Sequence, residues 1–418
     1  MGQVLQRREK YDAETLGESE MDVLPAEMMM RILQLLPPED LKMVVLVCRK
    51  WRDMGEDPSL WTWCQVRYKA GSKSHLQKLT VRRLQMLQHL HVWYDEWKTG
   101  EMTEVFQAVE KLPKLREITG LNGYNYKSVE PGLFGRVMNK LEEVDISRTG
   151  MTSQHLQAVF TIMCQESQLK KLAIEGNNLS SIQPAVLAKA ISKLEEINIG
   201  STDITSEQVQ AVFAAIAVDG PLRKLTIRHN DLSSVQPEVL VTALSKMEEV
   251  KMEVTNITGQ QAQKLFSAIK QKGQLKRLNI SGNDLSAVRP AVLAKGVARI
   301  EQVEMRETMI TTEQACEMFA VLMEESQLKK LSLAYNNLSG IEPTVLATGV
   351  TRLEEVNLYF TKLGAEQVSC MLRQCLEQDT KLSKLTVREI TDVDVEVELV
   401  RQARDKLGDY ININNWNV

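Results

Sequence analysis

Residues 169–179 have the sequence LKKLAIEGNNL, and the spacing within this stretch decides the fold. Leu169, Leu172 and Ile174 stand at positions 1, 4 and 6, and Asn177 stands at position 9. Side chains alternate along a strand, so positions 4 and 6 are predicted to face one core together. The amide of Asn177 is predicted to hydrogen-bond backbone groups left unpaired where the chain turns off the strand.

The same pattern recurs through most of the chain at a spacing of 53 residues. Two kinds of repeat alternate within this spacing, a long repeat of 28 residues and a short repeat of 25 residues. Long repeats begin at Leu141, Leu194, Met247, Ile300 and Leu353, and short repeats begin at Leu169, Leu222, Leu275 and Leu328. Further members at Leu87, Leu115 and Leu382 bring the predicted number to twelve.

The long and short repeats differ in the residues that start their turns and helices. Short repeats have Asn at position 9 and a proline preset for a first helical position, whereas long repeats have Thr at position 9. The prolines are Pro184, Pro237, Pro290 and Pro343. Three long repeats contain a capping box, with Thr205, Thr258 or Thr311 followed three residues later by Gln208, Gln261 or Gln314. A strand, a turn and a helix are therefore predicted in every repeat.

The motif L-x-x-L-x-L at this period resembles the leucine-rich repeat. The resemblance implies an α/β fold of the ribonuclease-inhibitor-like class, a curved solenoid with a parallel sheet on its concave side and helices on its convex side. The last repeat departs from the pattern, with Ile390 where Asn would stand. Such a departure is typical of a terminal repeat that covers the open end of a solenoid core.

A different pattern occupies residues 24–61, where 20 of 38 residues are apolar. Its apolar side chains cover most of a helix's circumference rather than one stripe, and Pro37-Pro38 interrupts the helical pattern. Three short helices enclose only one small core. The remaining apolar surface therefore predicts a protein interface.

These residues resemble the F-box motif in Leu24-Pro25-x-Glu27, Asp40-Leu41, Val47-Cys48-x-x-Trp51 and Asp57-Pro58-Ser59-Leu60-Trp61. The resemblance implies a three-helix domain that docks on the Skp adaptor of a cullin–RING (SCF) ubiquitin ligase. The positions implied to contact the adaptor are Leu24, Pro25, Ile32, Leu41, Val47, Cys48, Trp51, Leu60 and Trp61. The alternative is an ordinary three-helix cap for the repeats.

The sequence predicts five segments. Residues 1–20 form a flexible lead-in, residues 21–62 the F-box, and residues 63–86 a connecting segment. Residues 87–408 form the solenoid, and residues 409–418 form a C-terminal tail.

Composition narrows the classes of partner. The 55 acidic and 51 basic residues nearly cancel, which argues against a nucleic-acid partner. No apolar run approaches the roughly 20 residues that span a bilayer, and the first residues lack the apolar core of a secretory signal. The six cysteines have no paired spacing typical of metal ligands, so they are predicted to be reduced. We therefore expect a cytoplasmic or nuclear protein without a membrane partner.

Charged residues alternate in sign on the predicted concave side. Position 3 has an acidic residue in most long repeats and a basic residue in the short repeats, as in Glu143, Lys171, Glu196 and Lys224. Neighbouring strands lie about 4.8 Å apart, so these charges are predicted to pair with one another. A charged strip for a substrate is the alternative interpretation.

Positions 7 and 8 are less regular, and there the sequence predicts the substrate surface. The last four repeats bring Arg306, Tyr335, Tyr359, Phe360 and Arg388 to neighbouring strands in a chain that is otherwise poor in aromatic residues. Tyrosine and arginine are common anchors in protein interfaces. Each aromatic side chain taken singly is equally well explained as inward packing of a loop.

The sequence shows no catalytic constellation. It has no phosphate-binding loop and no nucleophile with a plausible base, so we predict a protein that is not an enzyme and has no catalytic residues, no metal site and no cofactor. The predicted function is a substrate receptor, which joins the Skp adaptor and its ligase to a protein substrate. Alternatives are a stand-alone leucine-rich-repeat inhibitor or sensor and an F-box scaffold that acts outside a ligase.

Overall fold

The computed structural model describes residues 24–68, 85–94, 101–119, 121, 126–165, 167–218, 220–272, 274–324, 326–377, 380–388, 397–407 and 411–414. The chain divides into two compact units, Met1–Glu96 with Lys111–Leu115, and Trp97–Glu110 with Arg116–Val418. The predicted lead-in and Ile390 lie outside the described residues.

The first unit contains the three predicted helices followed by a pair of strands. Its elements are α1 Ala26–Gln34, α2 Pro38–Val44, α3 Arg49–Gly55, a 3-10 turn Pro58–Leu60, β1 Trp63–Tyr68 and β2 His89–Tyr94. As predicted, the two prolines separate the first two helices, with Pro37 at the N-cap and Pro38 in the first turn of α2. Strands β1 and β2 pair in parallel. The predicted connecting segment 63–86 thus begins with a strand, because the backbone of residues 63–68 pairs with that of β2.

The helical part of the first unit has a small core. Its buried large side chains are Met29, Leu33, Leu41, Val44, Leu60 and Trp61. The indole Nε1–H of Trp61 donates to the carbonyl of Gly55 at 2.7 Å, so the polar atom of this buried ring is satisfied. The 3-10 turn therefore closes against the end of α3.

The second unit is a solenoid of alternating strands and helices. Its helices are α4 Glu101–Glu110, α5 Pro131–Asn139, α6 Ser153–Cys164, α7 Pro184–Ile191, α8 Ser206–Val218, α9 Pro237–Leu244, α10 Gly259–Lys272, α11 Pro290–Val297, α12 Thr312–Val321, α13 Pro343–Val350, α14 Ala365–Glu377 and α15 Val397–Leu407. Its strands are β3 Glu117–Thr119, β4 Glu143–Asp145, β5 Lys171–Ala173, β6 Glu196–Asn198, β7 Lys224–Thr226, β8 Glu249–Lys251, β9 Arg277–Asn279, β10 Gln302–Glu304, β11 Lys330–Ser332, β12 Glu355–Tyr359, β13 Lys384–Arg388 and β14 Ile411–Asn414.

These strands pair in parallel in the order of the chain, which confirms the predicted α/β solenoid. Strands β2 to β13 correspond to the twelve predicted repeats. The sheet also extends into the predicted C-terminal tail, because β14 pairs with β13. This added strand covers backbone groups that β13 would otherwise leave unpaired.

The core between the sheet and the helices repeats with the sequence. Positions 4 and 6 are buried as predicted, as in Leu172 and Ile174. Four helices of the long repeats each bury one phenylalanine at the 53-residue spacing, namely Phe160, Phe213, Phe266 and Phe319. The next helix, α13, approaches the ring of Phe319 closely, because a Cβ added at Gly349 would lie 2.6 Å from Phe319 Cδ1.

Buried polar side chains join each repeat to the one before it. The Asn177 amide donates to the carbonyls of Ile146 and Ile174 at 2.9 and 3.0 Å, and its oxygen accepts from the hydroxyl of Thr149 at 3.2 Å. The same amide-to-carbonyl bonds and Thr–Asn contacts recur at Asn230, Asn283 and Asn336. The amide of position 9 thus has the predicted role, and it also bonds across two repeats.

The glutamines of the capping boxes act in the same way. Gln208 accepts from the backbone N–H of Thr205 at 2.8 Å, and its amide donates to the carbonyls of Leu179 and Ile182. The first described long repeat has His155 at the corresponding position. Its Nε2 lies 2.8 Å from the carbonyl of Val129, so this ring nitrogen donates and the ring replaces the glutamine.

Candidate functional site

The predicted docking residues of the first unit fall into two groups. Leu41, Leu60 and Trp61 are buried in the core of the unit. Pro25, Ile32, Val47 and Cys48 are exposed, and Leu24 and Trp51 are half-buried. The first group therefore maintains the helical fold, and only the second group presents surface to a partner.

Four further exposed apolar side chains of the helical part were not among the predicted docking residues. They are Met28, Leu35, Met43 and Leu46. Met28, Ile32 and Leu35 have the spacing of a single helical face, whereas Met29 and Leu33 point into the core. The signal in the sequence was the apolar coverage around the whole helix, which does not tell the inward face from the outward one. We name Met28, Ile32, Leu35, Met43, Leu46 and Val47 the exposed apolar set.

We call the face of the sheet that its helices do not cover the open face of the second unit. On this face the alternating charges pair between neighbouring strands. Among the residues of position 3, Lys171 Nζ lies 2.7 Å from Glu143 Oε2, and Lys224 Nζ lies 3.1 Å from Glu196 Oε2. Position 2 shows the same arrangement, as in Lys170 with Glu142 at 3.0 Å. These exposed pairs are worth at most about 1 kcal/mol each, and they leave little charge for a partner.

The five predicted substrate residues lie together on strands β10 to β13 and the turns that follow them. The guanidinium of Arg306 lies over the ring of Tyr335, 4.2 Å from its centroid, and Tyr335 stacks on Phe360 with centroids 5.0 Å apart. Tyr359 contacts both rings, at 5.5 Å from Tyr335 and 4.3 Å from Phe360. Arg388 lies 5.4 Å from the Tyr359 centroid. We call this group the aromatic cluster.

A backbone feature of the repeat places two of these rings. Tyr335 and Phe360 stand at position 8 with φ of 60° and 56°, in the left-handed region. Gly176 and Gly282 occupy the same position in other repeats, where glycine adopts this conformation at no steric cost. The turn is thus set by the repeat, and a larger residue there costs about 1 kcal/mol or more. These glycines are the sequence signal for the left-handed conformation at position 8.

Beside the aromatic cluster lies a pocket of about 490 Å³ on the open face. Its lining includes Glu253, Glu304, Arg306, Tyr335 and Tyr359. Burial raises the pKa of Glu253, and the nearby charge of Glu304 raises it further, against smaller opposing effects. The sequence did not indicate this pocket, because its walls come from different repeats.

Glu175, at position 7 of an earlier repeat, has a different environment from Glu253. Its carboxylate accepts from Arg148 at 2.9 Å, from Arg228 at 2.6 Å and from Asn198 at 3.2 Å. Burial alone would raise the pKa of Glu175, but these hydrogen bonds outweigh it and lower the pKa to about 2. This carboxylate is therefore held ionised by cations of the same unit.

Other kinds of site have no support in the part of the chain that the structure describes. It contains no group of three or more His, Cys, Asp and Glu side chains arranged to hold a metal. None of the helices in the described ranges combines the length and apolarity that a membrane span requires.

Comparisons with known proteins agree with both units. A model of F-box-like domains matches residues 21–64, and a Leucine Rich Repeat model matches residues 327–348. The ribonuclease inhibitor of Mus musculus is 22% identical over 254 residues, which cover 56% of this chain and 55% of that protein. The ribonuclease inhibitor of Sus scrofa is 19% identical over 226 residues, covering 51% and 50%. The chain thus spans about half the length of these curated relatives.

Among solved structures, the leucine-rich repeat-containing protein LegL7 from Legionella pneumophila matches this chain. It is 15% identical, covers 69% of this chain and 97% of its own, and has a TM-score of 0.45. The two family models therefore identify an F-box-like segment at residues 21–64 and a leucine-rich repeat at residues 327–348. Over about half of its length the chain is also similar to ribonuclease inhibitors.

Proposed function

We propose that the chain is a substrate receptor of a cullin–RING ubiquitin ligase, in which the first unit docks on the Skp adaptor. The observation that carries this proposal is the exposed apolar set on an F-box-like domain. Leu35 is 85% exposed and Met43 is 62% exposed, although both lie in or next to helices that already have a core. Covering such a side chain contributes about 1.5–3 kcal/mol, so a few of them supply much of an interface's free energy.

The second unit would hold the protein substrate on its open face, at the aromatic cluster. Tyrosine and arginine in contact with one another form a surface with large apolar area and several hydrogen-bond donors. The charge pairs elsewhere on this face neutralise one another, which favours the aromatic cluster as the place of contact. The chain itself would do no chemistry. It would raise the effective concentration of a substrate lysine near the ubiquitin carrier, and it would act in the cytosol or nucleus.

A matched pair of substitutions tests adaptor docking. Val47 is 63% exposed in the first unit, and Val218 is 81% exposed in the second. We expect Val47→Asp to weaken binding of the purified Skp adaptor by about 100-fold, because an unpaired charge would be buried at the interface. Val218→Asp should bind the adaptor like the unchanged chain. Equal adaptor binding by both variants, measured by calorimetry, would contradict the proposal.

The curated relatives favour a second candidate function. Ribonuclease inhibitors are similar to this chain over about half its length, so a stand-alone protein-binding inhibitor is the alternative. The level of the bound protein in cells separates the two functions. Deleting the F-box should make a ligase substrate accumulate, whereas the target of a stoichiometric inhibitor should keep its level.

A further inference from the structure

We infer that the pocket beside the aromatic cluster receives a positively charged side chain, lysine or arginine, of the protein that binds the open face. This inference rests on the proposed substrate-binding function of that face and names the chemistry of the substrate's contact. The pocket has small residues among its lining, Ser281, Gly282, Ser332 and Ala334, and a volume of about 490 Å³. A long cationic side chain therefore has room to enter it.

Two carboxylates of the pocket are bridged by the neutral amide of Asn279. Asn279 Nδ2 donates to Glu253 Oε1 and to Glu304 Oε2, both at 2.9 Å, and the amide of Gln302 donates to Glu304 Oε1 at 3.2 Å. Neutral amide donors cannot neutralise two carboxylates. Glu253 Oε2 is buried without a hydrogen-bond partner. Burial is the main cause that raises the pKa of Glu253, and the charge of Glu304 adds to it, whereas the charges of Arg228 and Lys251 act in the opposite direction. The pair therefore has an electrostatic arrangement that a cation would stabilise.

Glu175 shows what completes such an arrangement in this protein. It also stands at position 7, and it also accepts from an asparagine of position 5, Asn198. There the two guanidinium groups of Arg148 and Arg228 bind the carboxylate. In the described residues, no ion pair at 4 Å or less joins a cation of the chain to Glu253 or Glu304. A partner's cation would take the place that arginine occupies at Glu175.

The remaining lining favours a basic contact over an acidic one. Three carboxylates, those of Glu253, Glu304 and Glu307, line the pocket with a single guanidinium, that of Arg306. That guanidinium stacks on Tyr335, which keeps one of its faces occupied. The rings of Tyr335 and Tyr359 line the same space, and aromatic faces also attract cations. A phosphate or carboxylate would instead meet three like charges.

A peptide selection on the full chain tests the inference. Random nine-residue peptides displayed on phage are selected with the unchanged chain, and the best binder is then measured against variants. The test variant is Glu253→Gln with Glu304→Gln, which keeps the side-chain shape and removes both charges. The matched control is Glu143→Gln with Glu196→Gln, which removes two carboxylates from the same face where lysines already pair with them.

We expect lysine or arginine to be enriched at one peptide position. Affinity of the best peptide should fall by about tenfold or more in the Glu253/Glu304 variant, the range for charge-assisted hydrogen bonds, and by less than about twofold in the control. Enrichment of acidic residues, tighter binding of a phosphoserine peptide, no enrichment, or equal loss in both variants would each overturn the inference. Adaptor binding by the same Glu253/Glu304 variant is measured in parallel. If this variant binds the adaptor normally but keeps its peptide affinity, the basic contact is contradicted and adaptor docking is not.

Discussion

At the scale of single residues, position 7 shows how neighbours determine the charge state of a carboxylate. Glu175 and Glu253 occupy the same place in their repeats and both lie on the open face. Arg148 and Arg228 bind Glu175, whereas Asn279 and Glu304 adjoin Glu253. The pKa of Glu175 is lowered to about 2, and the pKa of Glu253 is raised. We therefore expect Glu175 to stabilise the fold and Glu253 to be available for binding.

Replacing Glu175 should destabilise the solenoid in a pH-dependent way. Glu175→Gln leaves Arg148 and Arg228 without their shared carboxylate and should cost about 1–3 kcal/mol at neutral pH. The folded-state pKa lies below the ordinary value of 4.5, so this contribution is present above pH 4.5 and declines as the pH falls toward about 2. Urea unfolding of both chains from pH 7 to pH 2.5 measures the difference.

An exposed carboxylate provides the control for this experiment. The side chain of Glu143 is 45% exposed and pairs with Lys171, so Glu143→Gln should cost less than about 1 kcal/mol. If Glu175→Gln costs no more than Glu143→Gln, the two arginines do not stabilise the fold in the way proposed here.

At the scale of an element, buried amides hydrogen-bond the turns that follow the strands of the short repeats. Asn336 is buried, donates to the carbonyls of Met305 and Leu333 at 2.7 and 3.0 Å, and accepts from the N–H of Thr308 at 3.0 Å. Gln314 bonds the carbonyls of Leu285 and Val288 in the same manner. The polar residues of one repeat thus complete the backbone hydrogen bonds of the preceding one.

Adjacent asparagines allow this role to be measured. Asn336→Ala should lower the free energy of unfolding by about 2–4 kcal/mol, because two buried carbonyls and one buried N–H lose their partner. Asn337→Ala removes an exposed amide one residue further and should cost less than about 1 kcal/mol. Similar urea midpoints for the two variants would show that water or backbone shifts satisfy the turn instead.

At the scale of the whole molecule, the structural unit is the pair of repeats, not the single repeat. In four of the long repeats the Thr of position 9 contacts the Asn of the following short repeat, as Thr255 does with Asn283 at 3.2 Å. The alternating charges follow the same two-repeat order. Any change in the number of repeats should therefore be tolerated in steps of 53 residues.

Two internal deletions test this order. A chain without residues 222–274 loses 53 residues but still places a short repeat after the long one that contains Thr202. A chain without residues 222–246 loses only 25 residues, yet it places Thr255 where an asparagine is needed and sets Glu249 beside Glu196. We expect the smaller deletion to unfold at the lower urea concentration. The reverse order would contradict pairwise assembly, since fewer repeats alone lower stability.

The repeats themselves could be predicted from the sequence in some detail. Leucine spacing, the prolines of the short repeats and the Thr-x-x-Gln boxes are local patterns, and each determines local geometry wherever it occurs. The aromatic cluster could be anticipated because its residues stand at equivalent positions of successive repeats. The pocket could not, because its carboxylates, small residues and rings meet only when several repeats stack.

The sequence alone determined the period, the strand–turn–helix order and the alternation of charge, because these depend on contacts between a repeat and its neighbours at fixed spacing. The tertiary structure alone decided which apolar residues of the first unit face outward. Leu41 and Val47 are both aliphatic, yet packing of the helices buries Leu41 and leaves Val47 63% exposed. It also decided that Glu175 meets two arginines while Glu253 meets another carboxylate. Burial and charge environment depend on neighbours that are distant in the chain, and those neighbours exist only in the folded molecule.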